Sequence, residues 1–369
     1  MKISRVEAFP VPPRWVFCKV ETDAGVTGWG EATLEGHAAT QVAAVGELAR
    51  ILVGEDPLRI EYLWQSMYRC GFYRGGPVLM SALSGVDMAL WDIFGKAAGL
   101  PVHQLLGGAC RDKVRVYGGC GGSDPSEIRE SARACVEAGF DAMKFCPVDA
   151  TEIVAGLDVL KTVEKRVAAA RQGAGDADVA LDFHGRVAPP MAIALADMLR
   201  PLRPFFIEEP VQCENVDALL HVKQATPIPI ATGERLYGRH GFREVIEKEA
   251  AAILQPDLAH AGGITEVRKI AAMAETHYLA VAPHCPLGPV ALAACIQFAL
   301  CTPNFLIQEH GHLGAGYLKQ PLAVHKGCLS IPDSPGLGIE VDEQAIRAMK
   351  WDDWDTPRLW HKDGAVADW

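Results

Sequence analysis

The sequence predicts a (β/α)8-type barrel of modified, TIM-like form, with an α+β capping domain built from the two ends of the chain. Three observations carry this. From about residue 114, short apolar runs alternate with helix-length segments. Acidic and imidazole side chains stand at the carboxyl ends of those runs, where a barrel gathers its functional groups. The stretches on either side keep a strand-and-turn rhythm of their own.

Residues 1–113 are assigned to the cap. WVFCKVET and VTGWGEA, separated by Asp23-Ala24-Gly25, read as a hairpin. In SALSGVDMALWDIFGKAAG, the residues Leu83, Val86, Met88, Ala89, Leu90, Trp91 and Ile93 form a broad helical stripe that Gly99 and Pro101 stop. Residues 114–320 are the barrel, with VRVYG, FDAMKFC, DVALDFH, FFIEEP, IPIATGE, AAILQP, YLAVAPH and FLIQEH as its strands and a helix-length segment between each pair. An open doubly wound sheet is the alternative, but GGCGG after VRVY is only loosely glycine-rich and no dinucleotide fingerprint follows a strand. Residues 321–369, with LSIPDSPGLGIEVD, return to the cap.

A formal charge of -11 argues against nucleic acid, because counterion release needs a basic face. MKISRVEAFP lacks the apolar core of a secretory signal, and no run of about 18 apolar residues marks a membrane span. A cytoplasmic protein that binds neither nucleic acid nor membrane, and that forms a homo-oligomer, is expected. The eleven cysteines include no CxxC pair, so neither a disulfide framework nor a zinc knuckle is indicated.

Asp182, Glu208 and Glu234 end the third, fourth and fifth strands, each 26 residues after the last. Equal spacing predicts equal height, and neighbouring strands about 5 Å apart would bring the three carboxylates to one point. Left unpaired they would repel; a hard divalent cation removes that penalty, and an all-oxygen ligand set favours Mg²⁺. His184, two residues past Asp182, is expected to face the same interior by strand alternation. His284 ends the seventh strand, opposite the third, and Asp257 at the end of the sixth could hold its imidazole in one tautomer. Lys144 is expected either to touch a substrate carboxylate or to form a structural salt bridge. Trp15, Tyr73 and Arg74 lie in cap stretches that could cover the mouth and contact substrate, although Trp15 could equally be cap core.

The ordered set DFH, IEEP, TGER, QPDxxHAGGITE, APHCPLGP and IQEH resembles the mandelate racemase branch of the enolase superfamily. GFYRGGPxLMSA, DMALWDIFGK, SPGLGIEVDE and the terminal HKDGAVADW extend the likeness over nearly the whole chain. The resemblance implies Mg²⁺ on Asp182, Glu208 and Glu234, His284 as base oriented by Asp257, His184 as general acid, and Glu309 hydrogen-bonded to a reacting carboxylate. Racemases of this branch carry a lysine, a spacer and a second lysine on the second strand, whereas this chain has Lys144-Phe145-Cys146. One base and one acid without that second lysine suit loss of water from a sugar acid. The cysteine also departs from the asparagine that the branch's dehydratases imply, which leaves the acid sugar open. A zinc amidohydrolase would need an HxH pair on the first strand, and VRVYG has none; a non-catalytic relative would have lost a ligand or a histidine, and all are present.

Overall fold

The computed structural model describes all 369 residues. Strands β1 (Ile3–Val11), β2 (Trp15–Thr22) and β3 (Thr27–Glu31) form an antiparallel meander, one strand more than the hairpin read from the sequence. β1 is an edge strand with three of its nine residues, Ile3, Ala8 and Val11, buried at irregular intervals, so its sequence lacks clean alternation. Helices α1 (Ala38–Leu52), α2 (Ile60–Arg69) and α3 (Pro77–Ala98) cover the meander. Pro77 opens α3 and Gly99, at φ 68°, closes it, the usual asymmetry of helix ends. α3 is long and apolar enough to cross a bilayer, yet most of it is buried inside the protein. It rests directly on β3, because a Cβ on Gly30 would stand 1.9 Å from the Gly85 carbonyl oxygen.

After the short α4 (Val102–Leu105) and β4 (Val114–Arg115) comes the barrel. Its parallel strands are β5 (Gly118–Gly119), β6 (Ala142–Phe145), β7 (Asp178–Asp182), β8 (Ile207–Glu208), β9 (Ile230–Thr232), β10 (Ile253–Leu254) and β11 (Ala280–Val281), hydrogen-bonded in chain order. Helices α5 (Pro125–Glu137), α6 (Leu157–Ala174), α7 (Pro189–Leu199), α8 (Val216–Ala225), α9 (Gly238–Glu247), α10 (Gly263–Glu275) and α11 (Pro289–Leu300) fall between and after them. FLIQEH closes the ring without a regular ladder: Val281 bridges Phe305 and Val116 bridges Gln308, both parallel. The Leu306 N–H donates to the Val281 carbonyl at 2.8 Å, and the Gln308 N–H to the Arg115 carbonyl at 2.9 Å. Tyr117, Ala142, Ala180, Phe206, Ala231, Ile253, Ala282 and Ile307, one from each of the eight staves, pack as a single interior cluster. Burying each bulky member contributes roughly 1.5–3 kcal/mol, and the filled layer is a floor beneath the strand ends.

VRVYG splits between two sheets. Val114–Arg115 pairs antiparallel with β13 (Cys328–Leu329), itself hairpinned with β12 (Val324–His325), so this part of the C-terminal segment lies at the amino end of the barrel. Farther on the chain meets the cap. The Leu337 N–H donates to Asp92 Oδ1 at 2.9 Å, and on α12 (Glu343–Ala348) Glu343 and Arg347 pair with Lys19 and Glu7, each at 2.9 Å. A last hairpin, β14 (Leu359–Trp360) with β15 (Val366–Ala367), ends the chain.

Candidate active site

Asp182 is the last residue of β7 and Glu208 of β8, and the two are register partners, so they stand at one height. Glu208 pairs next with Ala231, which leaves Glu234 three residues beyond its own register position. The equal-height expectation therefore fails for Glu234: a spacing of 26 counts helix and loop residues as well as strand. Gly233 restores the convergence. At φ 143° it bends the chain back, and a Cβ there would stand 2.8 Å from the Phe242 ring and 2.9 Å from the Gln255 nitrogen. Carboxylate oxygens of Asp182, Glu208 and Glu234 come within 4.8 Å of one another.

Lys144, on β6, reaches into this cluster. Its Nζ lies 2.7 Å from Glu208 Oε1, 3.0 Å from Glu309 Oε1 and 3.4 Å from Asp182 Oδ2. One ammonium does not balance four acids. Burial, with the Asp182 charge added and Lys144 opposing, holds the Glu208 carboxyl well above its ordinary range. Burial and the Glu209 charge push Glu234 up to about 8 against the pull of His284. Glu208 Oε2 is buried with no hydrogen-bond partner. An orphaned oxygen among crowded carboxylates fits a hard divalent cation, and the donor set holds no sulfur or imidazole nitrogen that would favour a softer one.

The two imidazoles face the cluster from different supports. His284 Nδ1 is 2.7 Å from Asp257 Oδ2, while Nε2 lies 3.6 Å from Glu234 Oε2 and 3.9 Å from Glu309 Oε2. Burial opposes charge on this ring, but Glu234, Glu309 and Asp257 together raise its pKa well above the ordinary histidine value. His184 is not on a strand. It follows β7 in a left-handed turn, φ 50°, so that turn rather than strand alternation aims it inward. Its N–H donates to Asp182 Oδ1 at 2.9 Å and its Nε2 lies 3.3 Å from Asp182 Oδ2. Burial lowers its pKa, with Asp182 pulling the other way. Glu309 accepts the Cys285 N–H at 2.9 Å; although burial opposes its charge, Lys144 and His284 lower its carboxyl to about 2.

The structure thus gathers Asp182, Glu208, Glu234, His184, His284, Asp257, Glu309 and Lys144, the last as an ion pair. Three cap residues stand elsewhere. Trp15 is core, stacked on Phe17 and edge-on to Tyr317. Tyr73 and Arg74 line a separate groove against α1. A pattern of apolar and polar residues does not say where a loop folds. Sequence reasoning missed Arg14 and Trp369, which line the same cavity of about 180 Å³ as the two histidines. It also missed His260, three residues after Asp257, whose Nδ1 pairs with Ser81 Oγ of the cap at 2.9 Å. The quoted motif QPDxxHAGG contained that histidine without a role for it.

Against known proteins, residues 127–345 match the enolase C-terminal domain-like family, and residues 12–107 match the N-terminal domain of the mandelate racemase and muconate lactonizing enzymes. The chain therefore belongs to the enolase superfamily, in its mandelate racemase and muconate lactonizing enzyme branch. Within that branch it groups with acid-sugar dehydratases. The D-galactonate dehydratases of Ralstonia pickettii (strain 12J) and Variovorax paradoxus (strain S110) are 48% and 49% identical to it, with all of each chain covered. Among solved structures, an Agrobacterium radiobacter enolase, provisionally assigned as a galactarate dehydratase and bound to sodium and L-malate, superposes with TM-score 0.93 at 33% identity over all of both chains. A provisionally assigned dehydratase from Mesorhizobium loti gives 0.90 at 32% identity, over 95% of this chain and 99% of its own.

Proposed function

We propose that the protein dehydrates a sugar acid, D-galactonate first among the candidates, to a 2-keto-3-deoxy acid, with Mg²⁺ held by Asp182, Glu208 and Glu234. When bound, the ion supplies a fixed positive charge beside the substrate carboxylate as that group gains electron density.

The protein's own groups do the rest. His284 is assigned to donate Nδ1–H to Asp257; Glu234 is among the charges that keep this ring protonated, so a cation that neutralises Glu234 would free the Nε2 lone pair, which faces the cavity. Nε2 takes the proton from C2, and Asp257 stabilises the imidazolium that forms. His184, on the opposite wall, has to enter the step protonated, a state that burial opposes and Asp182 favours; it gives that proton to the departing 3-hydroxyl, the C3–O bond breaks, water leaves, and the enol becomes the ketone. Attack from one wall and departure toward the other make the elimination anti. Glu309 is assigned to meet the reacting carboxylate. Held ionised by Lys144, it must take up a proton to donate there, and the approach of a second carboxylate favours that uptake.

The observation that carries this reading is one imidazole seated on a buried aspartate, across the acidic cluster from a second imidazole. Cys146 supports elimination over two-base racemisation. It occupies the place of the second lysine, and its Sγ, within 3.4 Å of Arg186, offers no comparable base. A second reading, a diacid such as galactarate, is favoured by Arg14 at the cavity and by L-malate in the Agrobacterium neighbour. Incubation with D-galactonate and with galactarate, following 2-keto-3-deoxy product by NMR with and without EDTA, tests both. Product from D-galactonate that EDTA abolishes is expected; product from neither acid contradicts the assignment.

A further inference from the structure

The final residues of the chain lie across the mouth of the cavity. On the barrel side, hairpin β14–β15 is tied down by His361 Nδ1, 3.2 Å from Glu152 Oε1, and by Lys362 Nζ, 3.6 Å from Asp158 Oδ2. On the cap side, Arg14 pairs with Glu35 at 2.8 Å and lies over the Trp354 ring, 4.9 Å from its centroid. Trp354 in turn meets Trp369 at 6.4 Å between centroids. Trp369 then presents its flat face to His184, with 16° between the ring planes and 6.4 Å between centroids, inside the range of offset aromatic stacking.

That contact answers a need of the acid wall. His184 Nδ1 is buried without a hydrogen-bond partner, and nothing holds this ring as Asp257 holds His284. The one polar contact of its Nε2 is Asp182, a carboxylate assigned above to the metal. The plane of the imidazole is therefore set by packing, and Trp369 supplies the flat surface.

Resting on the dehydratase reading, we infer that Trp369 is a positioning residue for the general acid: it fixes the plane of the His184 imidazole and screens the departing hydroxyl from water, and it takes no part in abstraction of the C2 proton. A proton donor displaced by an ångström loses much of its rate, whereas the base on the opposite wall is unaffected. Elimination and proton abstraction thus respond differently to one substitution, a separation that general loss of structure does not produce.

The test follows D-galactonate and galactarate in D₂O with the full-length protein and added Mg²⁺. Two quantities are read by NMR: formation of 2-keto-3-deoxy product, and exchange of the C2 hydrogen for deuterium in unreacted substrate. Trp369→Ala is expected to slow product formation about tenfold to 100-fold, while C2 exchange continues close to the wild-type rate. Trp369→Phe, which keeps a flat apolar face, is expected to restore most of the product. A proportional fall of both rates in Trp369→Ala, or no fall in either, overturns the inference. Wild-type protein that neither dehydrates nor exchanges either acid overturns the dehydratase reading, and this inference with it.

Discussion

The two walls of the cavity carry the same side chain on different foundations. His284 stands three residues past the end of β11, hydrogen-bonded at 2.7 Å to an aspartate that follows the neighbouring strand β10 by the same distance, with its side chain 14% exposed. His184 stands on a left-handed turn, its side chain 34% exposed, its buried Nδ1 unpartnered and its face against a tryptophan from the far end of the chain. One imidazole is held by the barrel frame, the other by whatever packs over the mouth. On this account proton abstraction is the robust half of the chemistry, and expulsion of the hydroxyl is the half that sequence change outside the barrel can tune.

The comparison is tested hardest at the base. His284→Asn is expected to lower turnover by about 10⁴-fold and to remove C2 exchange as well, because His184 faces C3 from the other wall and Lys144 is held by three carboxylates. Mn²⁺ should still bind, as followed by EPR. Retained exchange in this variant would place the base elsewhere. His184→Asn should separate the two reactions, with product falling about 10²- to 10³-fold while exchange persists. Equal loss of both would mean that the walls are not independent.

Two smaller effects probe the frames beneath the walls. Gly233→Ala forces a side chain onto φ 143° and against Phe242 and Gln255, and is expected to cost about 1–3 kcal/mol in urea unfolding. It should also loosen Glu234 and weaken the affinity for Mg²⁺. An unchanged affinity would show that the acid reaches the cluster without that bend.

Asp87, on α3, accepts the Thr265 N–H of α10 at 3.0 Å and so joins the cap to the base side of the barrel. Burial pushes its carboxyl up to about 7 from 3.8. The unfolded chain therefore ionises first as pH rises, and the stability this group contributes below about pH 4 is lost progressively up to about pH 7. Asp87→Asn should flatten the pH dependence of the melting temperature between pH 5 and 8, by a few degrees at most. An unaltered slope would remove Asp87 from that account.

The sequence showed the parts of the site that lie at strand ends, Asp182 and Glu208, or three residues beyond them, Asp257 and His284. Asp182, Glu208, Asp257 and His284 were legible because each ends or directly follows an apolar run, and barrel geometry turns strand ends into neighbours. Glu234 was found by its spacing, but its height depends on Gly233, whose backbone angle no periodicity reports. His184 was named for the right neighbourhood, although a left-handed turn delivers it. The cap was least legible: Trp15 and Arg14 are adjacent in sequence, yet one is core and the other lines the cavity. Contacts between residue 369 and residue 184 depend on tertiary packing alone, which apolar patterns within a segment do not encode.

The central claim is that Asp182, Glu208 and Glu234 together hold one divalent ion between the two imidazoles. Titration of metal-free protein with Mn²⁺, read by EPR for the wild type and for Glu208→Gln, tests it most directly. The account predicts one ion per chain in the wild type and an affinity weakened by more than the roughly 10- to 100-fold that outer partners of a metal site are worth. Binding of the same strength and stoichiometry in Glu208→Gln would contradict it.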